Sequence, residues 1–227
     1  MKLSRLLRSE DARQTLDLTL RLTQRSVSSE FKGTTLGRLW SFINPLATIA
    51  IFALIFGVVF RGGVEPGRNS GINSFALWIG IGVLSWTFFS SGIMSSMNAL
   101  VDNAGLLTKV YFPRQVLIYS AVLSLAVDFA FELLVLVIIA MLMGGPGVLL
   151  MIPALLVVTV LVGMFAVGLG LMLSIATVYF RDLGHLWQIF NQMWMYASGV
   201  VFPLTMVNKV QNDLFDKGWQ VNGGPIP

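Results

Sequence analysis

Between Leu133 and Phe180 the chain carries no charged side chain at all. A small soluble domain could not cover so long an apolar stretch with water-compatible surface. Bilayer spans accommodate it, at about 20 apolar residues per 30 Å of hydrocarbon. The stretch is too long for one crossing. Gly144-Gly145-Pro146-Gly147 sits near its middle, and such a cluster punctuates helices, so two spans joined by a tight hairpin are expected. Leu39–Phe60, Asn69–Val101 (apolar from near Phe75) and Leu183–Asn208 are further uncharged runs, and the segment after Arg114 is broken only by Asp128 and Glu132. The expected fold class is an all-α polytopic helical membrane protein with five spans, at about 40–60, 75–99, 117–143, 149–177 and 185–204.

Charge is scarce and unevenly placed. Charged residues make up 11% of the 227, against roughly 25% in an ordinary soluble domain. Twelve of them fall in the first 40 positions, so residues 1–38 form a basic arm on a transmembrane body at 39–204. Basic side chains beside an apolar run suit anionic lipid head groups better than nucleic acid, which is not expected as a partner. Counting Lys and Arg in the arm and short loops gives eleven on one side and four on the other, which places the N-terminus in the cytoplasm. About 38 polar residues precede the first apolar run, so that span is expected to be an uncleaved anchor rather than a secretory signal.

Several chemistries are excluded by count. There is no cysteine for a disulfide, a zinc–thiolate site or an iron–sulfur cluster, and one histidine, His185, cannot make a two-histidine zinc motif. Gly163 and Gly168 have the first spacing of a phosphate loop, but Leu169 follows. Nucleotide hydrolysis on this chain is not expected, nor is any metal or cofactor.

The arm is ambiguous by period. Leu16, Leu18, Leu20 and Leu22 alternate as in a strand, whereas Leu16, Leu20, Val27 and Phe31 fall near one helical face. A strand would leave an unpaired edge beside lipid, so an amphipathic helix in the membrane interface is the favoured reading. It serves either as an anchor or as a lever touching a cytoplasmic partner.

Within the spans, Asp128 and Glu132 lie one turn apart on a shared face, where charges usually turn to the bundle interior or a wet cavity. They read as a hydrogen-bonding pair, as lumen-lining acids or, less readily, as a proton relay, with Asn98, Gln188, Asn191 and Gln192 near enough in depth to meet them. Ser91, Ser95 and Ala99 on the second span and Ala166, Gly170 and Ser174 on the fourth offer small faces for close helix contact.

Three segments carry a resemblance. Phe31-Lys32-Gly33-Thr34-Thr35-Leu36-Gly37-Arg38-Leu39-Trp40-Ser41-Phe42-Ile43-Asn44-Pro45-Leu46 resembles the stretch opening the first span in permease subunits of type-2 ABC exporters for polysaccharides such as O-antigen, capsule and teichoic acid. Asn103-Ala104-Gly105-Leu106-Leu107-Thr108-Lys109-Val110-Tyr111-Phe112-Pro113-Arg114 is similar to the first cytoplasmic loop of that family, and Tyr179-Phe180-Arg181-Asp182-Leu183 with Val201-Phe202-Pro203 to the bounds of its fifth span.

The resemblance implies a homodimer of six-span subunits in the cytoplasmic (inner) membrane. Each is bound to a cytoplasmic ATP-binding subunit that holds the ATP and magnesium, and the cargo is a lipid-linked polysaccharide. Residues 205–227 are then the start of extracytoplasmic re-entrant helices before a sixth span that this sequence lacks, and the chain is expected to be incomplete there. Carried over residue by residue, Asn103, Ala104, Gly105, Leu106, Leu107, Thr108 and Lys109 are the expected ATPase contact, with Arg181 and Asp182 as a second one. Lys32 and Arg38 sit where a carrier phosphate would approach. Phe52, Phe56 and Phe60, and Trp187, Phe190 and Trp194, are stripes along which sugar rings could slide, or ordinary packing. An ABC exporter of a drug or lipid, and a proton-coupled secondary transporter using Asp128 and Glu132, are the alternatives. A membrane glycosyltransferase fits poorly, because Asp102 and Asp182 are lone acids in separate loops.

Overall fold

The structure, a computed structural model, describes residues 2–30, 32–52, 54–55, 74–109 and 113–200, with the side chains of residues 2–12 and of Arg38 excepted. The described residues are built of helices and short turns, in the order α1 (Lys2–Glu30), α2 (Trp40–Phe52), α3 (Phe75–Asp102), α4 (Ala104–Leu107), α5 (Gln115–Gly144), α6 (Ile152–Tyr179) and α7 (Leu183–Ala197). Local chemistry sets the ends. The Ser74 hydroxyl accepts from the Leu77 N–H at 3.4 Å to open α3. Gly145, at φ 75°, closes α5 by donating its N–H to Met141 O at 2.9 Å. A 3₁₀ turn at Pro146–Met151 then carries the chain into α6, so the expected hairpin is present.

Among the described residues three segments are long and apolar enough to cross a bilayer: Phe75–Asp102, Gln115–Gly144 and Pro146–Tyr179. They match the expected spans at 75–99, 117–143 and 149–177. The first expected span begins with the shorter apolar helix α2, and the rest of it, Leu54 and Ile55 apart, lies outside the described residues. The fifth begins as α7, whose 15 residues reach only about 22 Å, and its continuation past Val200 also lies outside them.

Helices α3, α5 and α6 make the core. Phe88 of α3 stacks on Phe129 of α5 with ring centroids 4.7 Å apart, and Leu84, Leu133, Leu136 and Ile49 of α2 close round the pair. The α2 contribution is a buried Ser41–Pro45–Ile49 stripe at four-residue spacing. The α3–α6 seam runs through small residues: the backbone of Gly163 passes under Phe88, Gly92 meets Ala166, and Gly170 meets Ser96. A methyl group on Gly170 would fall on the Ser96 side chain. Because residue numbers rise together along this seam, α3 and α6 are parallel. Leu136 lies against Gly80 and Phe129 against Phe88, so α5 is antiparallel to both. The C-terminal ends of α3 and α6 and the start of α5 therefore share one end of the bundle.

The buried hydroxyls of α3 and α6 are satisfied within their own helices. Ser96 Oγ donates to Gly92 O at 2.6 Å, Ser174 Oγ to Leu171 O at 2.9 Å and Thr177 Oγ1 to Leu173 O at 2.8 Å. Away from water this is the condition for placing a polar group at all. The outward faces are apolar, with Leu142 84%, Leu150 83% and Met172 71% exposed, as lipid contact requires.

The arm is a helix, not a strand, and α1 packs on α5. Its buried face is Thr19 and Thr23, whose hydroxyls donate to Thr15 O and Thr19 O at 2.8 Å. Of the face expected from apolar period, Val27 is half-buried, Leu16 and Leu20 are 62% and 49% exposed, and Phe31 lies outside the described residues. The leucines thus point away from the bundle while the slim threonines take the helix–helix contact.

Candidate functional site

The α3–α5 connection is built as a peg. Asn103 follows the last residue of α3 and ties itself back by donating Nδ2 to Ala99 O at 2.8 Å. The single turn of α4 then starts at once, with the N–H groups of Leu106 and Leu107 bonding Asn103 O. Leu106 and Leu107 are half-buried against Ala99, Leu117 and Ile118, with Leu22 of α1 and Leu171 of α6 on the same cluster. Ala104, Gly105, Thr108 and Lys109 are exposed. A side chain added at Gly105 would meet nothing within 4 Å. Two leucines therefore anchor the peg to a cluster of α3 and α5 residues on which α1 and α6 also pack, and its other face is open. Val110, Tyr111 and Phe112 lie outside the described residues.

The α6–α7 turn stands at the same end. Arg181 and Asp182 are both exposed there, and the Asp182 carbonyl accepts from the His185 and Leu186 N–H groups at 3.1 and 3.2 Å. The two regions expected to touch a partner thus share one end of the bundle, where Lys109, Arg114 and Arg181 outnumber Asp102 and Asp182. Lys32 is exposed in the turn after α1, with its N–H on Ser29 O at 3.2 Å; the Arg38 side chain lies outside the described residues.

The aromatic stripes are placed differently. Phe52 is half-buried at the end of α2, and Phe56 and Phe60 fall outside the described residues. On α7, Trp194 meets Trp86 and Phe89 of α3 edge-on at 5.9 and 5.4 Å, and Trp187 meets Trp194 at 6.4 Å. Phe190 packs on both tryptophans and remains 48% exposed. Two rings of the stripe are thus turned into the contact with α3, and one looks outward. Asn191 adds the interhelical hydrogen bond, donating Nδ2 to Ser90 Oγ at 2.6 Å. It meets α3 rather than the two acids. Trp187 Nε1 and Asn191 Oδ1 are buried beside it with no partner among the described residues.

Asp128 and Glu132 are both half-buried on α5. Their helix faces α2 through an edge-on contact of Phe131 with Phe42 at 5.5 Å. Sequence reasoning named Ala166, Gly170 and Ser174 correctly as a packing face. On α3 it named Ser91, Ser95 and Ala99, of which Ala99 packs on Leu117 and Ile118 of α5, while the seam with α6 uses Phe88, Gly92 and Ser96. It missed the polar residues behind the peg, although Ser120 and Ser124, one turn apart in an apolar run, were a legible signal.

A model of the ABC-2 type transporter family matches residues 17–212, which takes in every helix from the second half of α1 to α7. The chain belongs to that family. Among curated proteins, it is 31% identical over 192 residues to the O-antigen export system permease protein RfbA of Myxococcus xanthus, covering 84% of this chain and 70% of that protein. Two proteins of the same name from Klebsiella pneumoniae are each 24% identical over 191 residues, covering 84% of this chain and 71% of theirs. The chain is accordingly a membrane component of a transporter, and as an ABC-2 permease it is not itself the catalyst.

Proposed function

We propose that this permease is the membrane-spanning subunit of an exporter that moves a lipid-linked polysaccharide outward across the cytoplasmic membrane. It does so paired with a second copy of itself and driven by ATP hydrolysed on a separate cytoplasmic subunit. The substrate class follows the printed names of its relatives, which are O-antigen export permeases. The observation that carries the coupling role is the peg. Leu106 and Leu107 fix α4 to a cluster that includes α1, α3, α5 and α6, while Ala104, Gly105, Thr108 and Lys109 are left open. A displacement applied to such a turn is passed to the spans rather than absorbed by a slack loop. Arg181 and Asp182 extend the contact, and Lys109 and Arg181 favour an acidic groove on the partner. Lys32 and Arg38 would meet the carrier phosphate, and Phe52, Phe56 and Phe60 would offer faces to sugar rings.

Gly105→Trp tests this reading. A Cβ at this exposed position meets nothing within 4 Å in the isolated subunit, and the ring it carries would stand where the partner docks. Co-expressed with its ATP-binding subunit, the variant should accumulate in the membrane at the wild-type level. The copurified ATPase and the exported glycan should both fall by roughly tenfold or more, the size of a lost interface anchor. Undiminished copurification and export would remove α4 from the contact.

A further inference from the structure

Behind the peg, α1, α3 and α5 enclose a cavity of about 340 Å³, within the range of small-molecule sites. Its polar wall includes Arg25 and Ser29 from α1, Asp102 and Asn103 from the end of α3, and Ser120 and Ser124 from α5.

The hydrogen bonds around it decide what it can receive. Ser29 Oγ donates to Ser26 O at 2.9 Å, Ser120 Oγ to Leu117 O at 3.0 Å and Ser124 Oγ to Ala121 O at 2.9 Å. Asn103 commits Nδ2 to Ala99 O. The three hydroxyl protons are thus engaged with backbone, while Ser26 and Ser95 on the same wall and the second Asn103 N–H can still donate. Acceptors nevertheless predominate: five hydroxyl oxygens, Asn103 Oδ1 and the Asp102 carboxylate. Arg25 is the cationic donor on the wall. Among the described residues the ion pair formed is Arg21–Asp17, at 3.4 Å, so Arg25 and Asp102 face the same cavity without neutralising each other.

The depth is equally specific. Asp102 is the last residue of a membrane-length helix, and Ser120 and Ser124 lie in the second and third turns of another. The cavity therefore opens at head-group level of one leaflet and extends a short way below it.

We propose that this cavity seats an amino-phosphate zwitterion, the phosphoethanolamine head of a membrane phospholipid, with its phosphate at Arg25 and its ammonium among Asp102 and the serine oxygens. Three N–H donors on the ammonium match the surplus of acceptors, and the phosphate supplies the anion that Arg25 lacks. A choline head has the same charges but no N–H to give. A glycerol head has hydroxyl donors but no positive charge to offset Asp102. A neutral sugar offers donors but nothing for Arg25.

The experiment uses the whole chain, delipidated in detergent and offered equimolar phosphatidylethanolamine, phosphatidylcholine and phosphatidylglycerol of identical acyl chains. Retained lipid is counted by native mass spectrometry. Phosphatidylethanolamine should be held roughly tenfold over either competitor, the scale of one or two charge-assisted hydrogen bonds. Asp102→Asn should bring the ratios toward one, whereas Arg25→Gln, which removes the contact to the phosphate that all three lipids share, should lower the retention of all three together. Ser120→Ala with Ser124→Ala, which removes lone pairs without touching charge, should lower the ethanolamine-to-choline ratio alone. The readout is a ratio within the folded population, so partial unfolding of a variant does not blur it. Free O-phosphoethanolamine separates the two sources of this chemistry. Displacement of the lipid at millimolar concentration assigns the seat to a soluble amino-phosphate, and retention of the lipid assigns it to the membrane. Equal retention of the three lipids, an ethanolamine preference that survives Asp102→Asn, or undiminished lipid retention in Arg25→Gln overturns the proposal.

Discussion

Helices α3 and α7 touch each other yet are built on opposite plans. α3 buries eleven residues, among them Ile79, Ile93 and Met97 with no measurable exposure. α7 buries none, and Leu186, Ile189, Met193 and Tyr196 are 50–63% exposed along its length. One is a mast that every neighbour packs against. The other is held by a few aromatic edges and one side-chain hydrogen bond. In a bilayer the difference does not track hydrophobicity, because both helices are apolar. It tracks residue size at the contact, since lipid already satisfies large apolar side chains and packing rewards close approach.

That contrast can be broken at its strong end first. Phe88→Ala removes the ring stacked on Phe129 and should cost about 3–5 kcal/mol, read as a fall in the denaturation midpoint of the detergent-solubilised protein. Gly170→Ala should cost about 1–3 kcal/mol by overpacking, and pairing it with Ser96→Gly should recover much of that loss. Failure of the second change to rescue would mean that the seam does not close where Gly170 and Ser96 meet. At the weak end, Asn191→Ala should cost only about 0.6 kcal/mol, the usual worth of an interhelical hydrogen bond in a membrane protein. A loss as large as that of Phe88→Ala would show that α7 belongs to the core after all.

The three membrane-length helices and the hairpin were legible in the sequence because charge gaps and a glycine–proline cluster mark where such helices begin and end. The faces were less so. Amphipathic reasoning looks for leucine on the buried side, and α1 buries Thr19 and Thr23 while Leu16 and Leu20 point outward. The same inversion runs through the bundle, where Ser96, Ser120 and Ser174 are buried and Leu142 and Leu150 are bare. Where lipid replaces water outside, apolar period no longer separates inside from outside, and small residues carry the signal instead. By that rule Ala166, Gly170 and Ser174 could be read in advance. Which α3 face meets that stripe could not be read, because Ser91, Ser95 and Ala99 form a small stripe one position away from the Phe88, Gly92 and Ser96 seam. The peg was legible only through resemblance: four residues of helix leave no periodic trace. The cavity behind it depends on three separate segments converging, which no local pattern records.

Gly170 lying on Ser96 has a mechanical corollary. Two rods pressed together at that spacing can neither roll nor slip without collision, so the parallel pair α3–α6 must tilt as a single plank. Both ends of the plank nearest α4 carry turns, at Asn103 and at Arg181, and leverage applied to either is felt by both.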